Sequence, residues 1–266
     1  MISEQNQNKK LFFLMGMPRS GNTLFASLMN QNPELVVTAN SITLEIMKDL
    51  HLLKQTDVFQ NYPDHKSLNN VLDCVYDVLY KDWPQRIIID RGPIMATGSP
   101  GNFELMKVHY KRPFKCIVLV RDLMDVLASY MKWYTEEPTS FVNKYGDTTD
   151  EQKLSRIMNS KGGVAKELNA IKNAYNYTDM CHFIKYDNLI ASPQEEIKKV
   201  YKFLDEPYFN HRFIDLDQIN INGMGYNDSL VGKNMHTIRH EIKKEYNPYI
   251  EKIPQRIKEK YEHIKI

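Results

Sequence analysis

Two hydrophobic patterns alternate along this chain. The first is a short apolar run, seen at residues 11–15, 86–90, 115–120 and 181–185. Runs of this length, bounded by polar or turn residues, read as buried strands. The second is a helical stripe. Leu68, Val71, Leu72, Val75, Val78 and Leu79 recur three or four residues apart and predict one apolar helix face over 65–82. Helices are also expected over 22–30, stopping at Asn32-Pro33, and over 44–53 and 164–175. Another is expected over 194–204, with Pro193 just before or at its first turn, where a missing N–H is harmless. Asp122, with Asp125 in the following turn, is a candidate N-cap for a helix running through Trp133.

Strands therefore alternate with helices. That order predicts an α/β fold, a parallel sheet flanked by helices in three layers, with ligands at the C-terminal ends of the strands. Three stretches interrupt the rhythm. Residues 34–64 mix the short apolar piece Leu35-Val36-Val37, a turn at 38–41 and a helical part. Residues 135–160 are polar and rich in Asn, Thr and Glu, which suits either a substrate lid or a solvated loop with one short helix. The tail beyond Asn210 is irregular. It carries Gly223, Gly225 and Gly232 and ends in a basic amphipathic helix, and 223–266 reads as a closing segment.

The chain of 266 residues fits a single domain, with 42% hydrophobic residues for one core. A net charge of +2 gives no reason to expect a nucleic-acid partner, and a local basic pocket needs no global excess. The three cysteines, Cys74, Cys116 and Cys181, are far apart and form no C-x-x-C pair, so they read as buried, reduced thiols. The first ten residues are polar and the apolar run after them covers only 11–17. No secretory signal and no span of ~20 apolar residues is visible, so a soluble, cytoplasmic protein is expected. Asn176-Tyr-Thr and Asn227-Asp-Ser match glycosylation sequons, which without such a signal read as chance. Trp83 and Trp133 read as core or pocket-wall residues.

The stretch 11–24 carries the chemistry. An apolar strand runs into Gly16-Met-Pro18-Arg19-Ser20-Gly21 and then into a helix. The two glycines have the spacing of a phosphate-binding P-loop, but Asn22 stands where nucleotide hydrolases have lysine, and Thr23 follows. Such a loop still binds an anion through backbone N–H groups and the helix N-terminus. Without the lysine it suits a nucleotide lacking a triphosphate.

Pro18-Arg19-Ser20-Gly21-Asn22-Thr23 resembles the 5′-phosphosulfate loop of sulfotransferases that use PAPS (3′-phosphoadenosine-5′-phosphosulfate). A second likeness lies in Cys116-Ile-Val-Leu-Val-Arg121-Asp122 with Ser129 beyond it, where the family holds the 3′-phosphate with an Arg and a Ser. A third is Phe183-Ile-Lys-Tyr186-Asp-Asn-Leu189, followed by Ser192-Pro193 and Phe203-Leu204. The resemblance implies a P-loop NTPase-like sulfotransferase fold and transfer of a sulfuryl group from PAPS to a hydroxyl or amine, releasing PAP. It implies Arg19 at the sulfate and 5′-phosphate, with the Gly21, Asn22 and Thr23 amides around that phosphate. Arg121 and Ser129 would hold the 3′-phosphate and Tyr186 would contact the nucleotide. Gly225…Lys233…His236-Thr-Ile-Arg239 resembles a segment that closes over the nucleotide, with Lys233 and Arg239 adding charge.

The general base is not fixed by the sequence. The cytosolic small-molecule branch uses a His in a Lys-Thr-His-x-Pro run, and the matching run here is Asp90-Arg91-Gly92-Pro93, with Arg91 at the His position. The branch acting on protein tyrosine uses a Glu after the first helix and a Lys after the second strand. Alignment on Asn32-Pro33 puts Asn40 at that Glu position, Glu45 lies five residues on, and Arg91 is a stand-in for the Lys. Glu45 and Asp90 are the candidate bases. No metal is expected. The acceptor stays open among small molecules, glycans, lipids and peptides, as does the oligomeric state. Two alternatives remain: a small-molecule kinase or NTPase, since the strand 86–90 ends in an acid as Mg²⁺-binding strands do, and a non-catalytic PAP-binding module.

Overall fold

The structure, a computed structural model, describes residues 9–92, 100–232 and 235–266. The elements are β1 (Lys10–Gly16), α1 (Asn22–Met29), β2 (Leu35–Val37), α2 (Thr43–Leu52), α3 (Asp57–Asn61), α4 (His65–Leu79), β3 (Ile87–Arg91), α5 (Pro100–His109), β4 (Cys116–Val120) and α6 (Leu123–Glu136). After them come α7 (Asp150–Ile157), α8 (Gly163–Ala174), β5 (Cys181–Lys185), α9 (Tyr186–Ala191), α10 (Pro193–Leu204), β6 (Asn220–Ile221), β7 (Met224–Gly225) and α11 (Gln255–Tyr261).

Strands β1 to β5 form one parallel sheet in the order β2-β3-β1-β4-β5, flanked by helices. The central strand β1 is buried from Leu11 to Gly16, as a strand covered on both faces must be. Phe13 anchors it, stacked on Phe114 at 4.6 Å and edge-on to Tyr76 and Tyr110. The Tyr110 hydroxyl donates to the Leu11 carbonyl at 2.9 Å, while the buried Tyr76 hydroxyl has no hydrogen-bond partner among the described residues. Register then sets the functional end of the sheet. Leu14 lies beside Arg91 of β3, and Gly16 beside Leu119 of β4. The C-terminal ends of β1, β3, β4 and β5 consequently lie at one edge of the sheet.

Several local expectations are met. Asp122 caps α6, its carboxylate accepting from the Met124 and Asp125 amides. Pro193 sits at the start of α10. The apolar piece at 35–37 becomes the edge strand β2, a role that depends on pairing with β3 and is not visible locally. Helices α5 and α9 lie where no periodicity predicts them. All three cysteines are free, with Cys116 and Cys181 buried and Cys74 only half-buried.

The polar stretch 135–160 contains a 3₁₀ turn at Phe141–Tyr145 and α7, which opens with a capping box between Thr149 and Gln152. Val142 and Leu154 enter the core, and the Tyr134 hydroxyl donates to Asp150. The C-terminal segment is tied back by Gln218, which both donates to the Ile238 carbonyl and accepts from its amide. The closing helix α11 covers Gln255–Tyr261. Among the described residues no helix is long and apolar enough to cross a membrane.

Candidate active site

The loop after β1 is built around the Met17 carbonyl, which accepts from the Ser20 amide (3.1 Å), the Ser20 hydroxyl (2.5 Å) and Asn22 Nδ2 (2.9 Å). The Ser20 and Asn22 side chains are buried inside the loop. They shape it and do not reach out of it. The residue at the lysine position therefore points inward, which fits a site that does not grip a β/γ-phosphate pair. Gly16 is required by closeness, since a Cβ there would lie 2.9 Å from both Asn22 Oδ1 and Leu119 Cβ. Gly21 has φ 91° and receives the Tyr186 ring, whose Cδ2 would stand 2.7 Å from an added Cβ. Helix α1 starts directly after Gly21 with no side-chain cap and no acid in its first turn, leaving its N-terminal amides for a ligand. Pro18 is buried and Thr23 half-buried at the two ends of this turn.

Arg19 sits at φ 67°, in the left-handed region that costs a non-glycine residue about 1–2 kcal/mol. What holds it there is Arg121, whose Nη1 donates to the Arg19 carbonyl at 2.6 Å. The Arg19 Nε donates to Ser129 Oγ at 3.1 Å, and its Nη1 to the Met235 carbonyl at 3.0 Å. Arg121 lies over the Tyr186 ring at 4.2 Å, and its buried Nε has no partner. Among the described residues no carboxylate pairs with either guanidinium. Burial lowers the Arg19 pKa, and the charges of Arg121 and Arg239 add to that, while Tyr130 and Tyr186 act the other way. Arginine nevertheless stays charged at neutral pH. Two half-buried guanidiniums with no carboxylate partner among the described residues, beside an uncapped helix N-terminus, have the chemistry to hold an anion.

The structure thus brings together Arg19, Arg121, Ser129, Gly21 and Tyr186. Arg239 acts on Arg19 at a distance and is itself exposed, paired with Glu245 at 2.7 Å. Lys233 lies outside the described residues. Arg91, at the end of β3, is anchored through its amide on Thr38 Oγ1 (2.8 Å) and donates from Nη1 to the Tyr226 hydroxyl (2.9 Å). Asp90, next to it, points the other way. Its Oδ2 accepts from Ser41 (2.8 Å), Thr43 (3.0 Å) and Tyr80, and burial raises its pKa. A carboxylate enclosed by three hydroxyls holds the β3 end to the start of α2. Glu45 is half-buried in the first turn of α2 and pairs with none of these arginines.

Three residues that sequence reasoning passed over also belong here. The Tyr226 ring stacks on His236 at 3.7 Å and 5°, and His236 Nδ1 meets Asp228 Oδ1 at 2.6 Å. His236 stood inside the segment singled out for its charge, but nothing local linked it to Tyr226 or Asp228.

Residues 12–210 match the model of the sulfotransferase family. The chain belongs to that family. A relative in Caenorhabditis briggsae named "Putative protein-tyrosine sulfotransferase" is 24% identical over 238 residues, covering 86% of this chain and 79% of the relative. Two solved structures share its fold. One is the sulfotransferase domain of the Synechococcus PCC 7002 olefin synthase (TM-score 0.56, 15% identity, 87% of this chain and 89% of that one). The other is a sulfotransferase from Alicyclobacillus acidocaldarius (TM-score 0.52, 13% identity, 77% and 84%). This sulfotransferase accordingly has the P-loop-like α/β fold and is an enzyme of sulfuryl transfer. The matched stretch ends before Tyr226, Asp228, His236 and Arg239, so the segment over Arg19 lies outside it.

Proposed function

We propose that this sulfotransferase takes its sulfuryl group from PAPS and passes it in line to a hydroxyl or amine, leaving PAP. The observation that carries this reading is the pair Arg19 and Arg121, half-buried, joined to each other and with no carboxylate partner among the described residues, beside the uncapped start of α1. Sulfuryl transfer resembles phosphoryl transfer, with a loose transition state whose charge spreads over non-bridging oxygens. It needs positioning and preorganised positive donors more than covalent chemistry. Arg19 is assigned to the sulfate and the 5′-phosphate, with the amides of Gly21, Asn22 and Thr23 around that phosphate. Arg121 and Ser129 are assigned to the 3′-phosphate. Tyr186, packed on Gly21 and under Arg121, supplies a wall for the nucleotide. Arg239 and Lys233 add positive charge from the closing segment.

The test is calorimetric titration with PAP and, separately, with Mg-ATP. Tight PAP binding without ATP binding supports the assignment. Mg-ATP binding with indifference to the 3′-phosphate would replace it with a kinase. The acceptor follows from a screen with labelled PAPS over phenols, sugars, lipid headgroups and peptides. The relative's name makes tyrosine-containing peptides the first to try.

A further inference from the structure

The proposed reaction lacks a group to take the acceptor's proton. Glu45 pairs with none of the arginines, and Asp90 is enclosed by hydroxyls. Across the site, Asp228 grips one residue twice. Its Oδ1 meets His236 Nδ1 at 2.6 Å, and its Oδ2 accepts from the His236 amide at 3.0 Å. The imidazole is also clamped flat against Tyr226, whose hydroxyl accepts from Arg91. The preceding residue, Met235, gives its carbonyl to Arg19. One end of this short segment is therefore tied to the sulfate-site arginine, and its histidine stacks on the tyrosine that accepts from the arginine at the end of β3.

We propose that His236 is the general base of the transfer and that Asp228 is its positioning residue. This rests on the reading that the site transfers a sulfuryl group from PAPS. A carboxylate is an acceptor, so the proton of the Asp228 contact sits on Nδ1, and Nε2 carries the lone pair. Nε2 has no protein partner among the described residues, and the side chain keeps 12% of its surface open. The groups acting on the ring are Asp228, Tyr226, Arg91 and Arg19. Burial lowers its pKa, Asp228 opposes this, and Arg91 and Arg19 lower it further, so the neutral, basic form is present at pH 7.

In the step itself Nε2 takes the acceptor's proton as the acceptor oxygen or nitrogen bonds to sulfur. The bond from sulfur to the 5′-phosphate oxygen breaks, and its electron pair stays on PAP. The imidazolium that forms is balanced by Asp228 and later gives its proton to water.

The experiment needs no known acceptor. Formation of PAP from PAPS, with water as the acceptor, is measured for the parent protein, for His236→Gln and for Asp228→Asn, beside PAP affinity by calorimetry. The expected result for His236→Gln is a kcat at least 10²-fold lower with PAP affinity within threefold. Asp228→Asn should lower kcat about tenfold, leave KM for PAPS unchanged, and move the acid limb of the kcat profile to lower pH, because the stabilising carboxylate is gone. Unchanged kcat in His236→Gln would overturn the proposal, as would a tenfold loss of PAP affinity there, which would make His236 a phosphate contact. Failure of the parent to bind PAP would instead remove the cofactor assignment. If turnover with water is too slow to read, ¹⁵N NMR of the PAP complex decides. An Nδ1–H tautomer with unprotonated Nε2 supports the base, and an Nε2–H tautomer overturns it.

Discussion

The Nη1 of Arg121 donates to the main-chain carbonyl of Arg19 at 2.6 Å, so the arginine at the end of β4 holds the strained turn of the arginine after β1. The two arginines assigned to opposite ends of the nucleotide are thus mechanically joined. Ser129 strengthens the link by accepting from Arg19 Nε. An anion bound by one arginine will be felt by the other.

Arg121→Ala should therefore do two things at once. It removes a charged contact to the 3′-phosphate and releases the Arg19 carbonyl. The expected loss of PAP affinity is about 2–5 kcal/mol. Arg121→Lys should recover only part of it, because an ammonium cannot keep the fork geometry. Calorimetry decides, and an unchanged PAP affinity in the alanine variant would remove the assignment.

Arg19→Ala should act mainly on turnover. Contacts to the transferring group strengthen as charge develops, so kcat should fall about 10²–10³-fold, more than PAP affinity does. Ser129→Ala, which removes one hydrogen bond, should cost roughly 1 kcal/mol in PAP affinity. Steady-state kinetics with PAPS would read the first, and near-parental turnover would contradict the role of Arg19.

Gly21→Ala places a Cβ 2.7 Å from the Tyr186 ring and forces a left-handed backbone on alanine. The backbone part alone costs about 1–2 kcal/mol. The variant should melt earlier and bind PAP weakly. Adding Tyr186→Ala relieves the collision but not the φ, so recovery of the melting temperature should be partial; full recovery would show that the backbone part is negligible.

Asp90 is expected to matter for stability and not as a base. Asp90→Ala leaves three buried hydroxyls without their acceptor and should cost about 3 kcal/mol. Asp90→Asn keeps an acceptor oxygen and should cost less, with kcat close to that of the parent. A loss of kcat in a well-folded Asp90→Asn protein would return Asp90 to the list of bases.

Acid should destabilise the fold through the half-buried His182 and the buried His211. Burial lowers the pKa values of His182 and His211 below 6.5. The unfolded chain then binds more protons, so stability rises with pH in this range. The contribution is fully present above pH 6.5 and is lost as pH falls from there toward the folded values. The melting temperature should drop between pH 7.5 and 5.5, and His211→Phe, whose site is lined by Tyr201 and Phe209, should flatten that drop. An unaltered pH slope in the variant would exclude His211 as a contributor.

What the sequence determined by itself is what depends on neighbours in the chain. The strands, the glycine loop, the Asp122 cap and the family follow from runs and spacings a few residues long, because apolar periodicity, backbone freedom and capping are local. The absence of lysine at Asn22 was legible in the same way. The tertiary structure decided what depends on distant segments. It made Leu35–Val37 an edge strand, turned Asn22 and Asp90 inward, and set Arg121 on the Arg19 carbonyl. It also placed His236 against Asp228 and Tyr226 in a tail whose order comes from side-chain contacts such as Gln218 on Ile238. Such contacts close long loops and leave no periodic trace in the sequence, so only folding brings those groups to the sheet edge where the arginines converge.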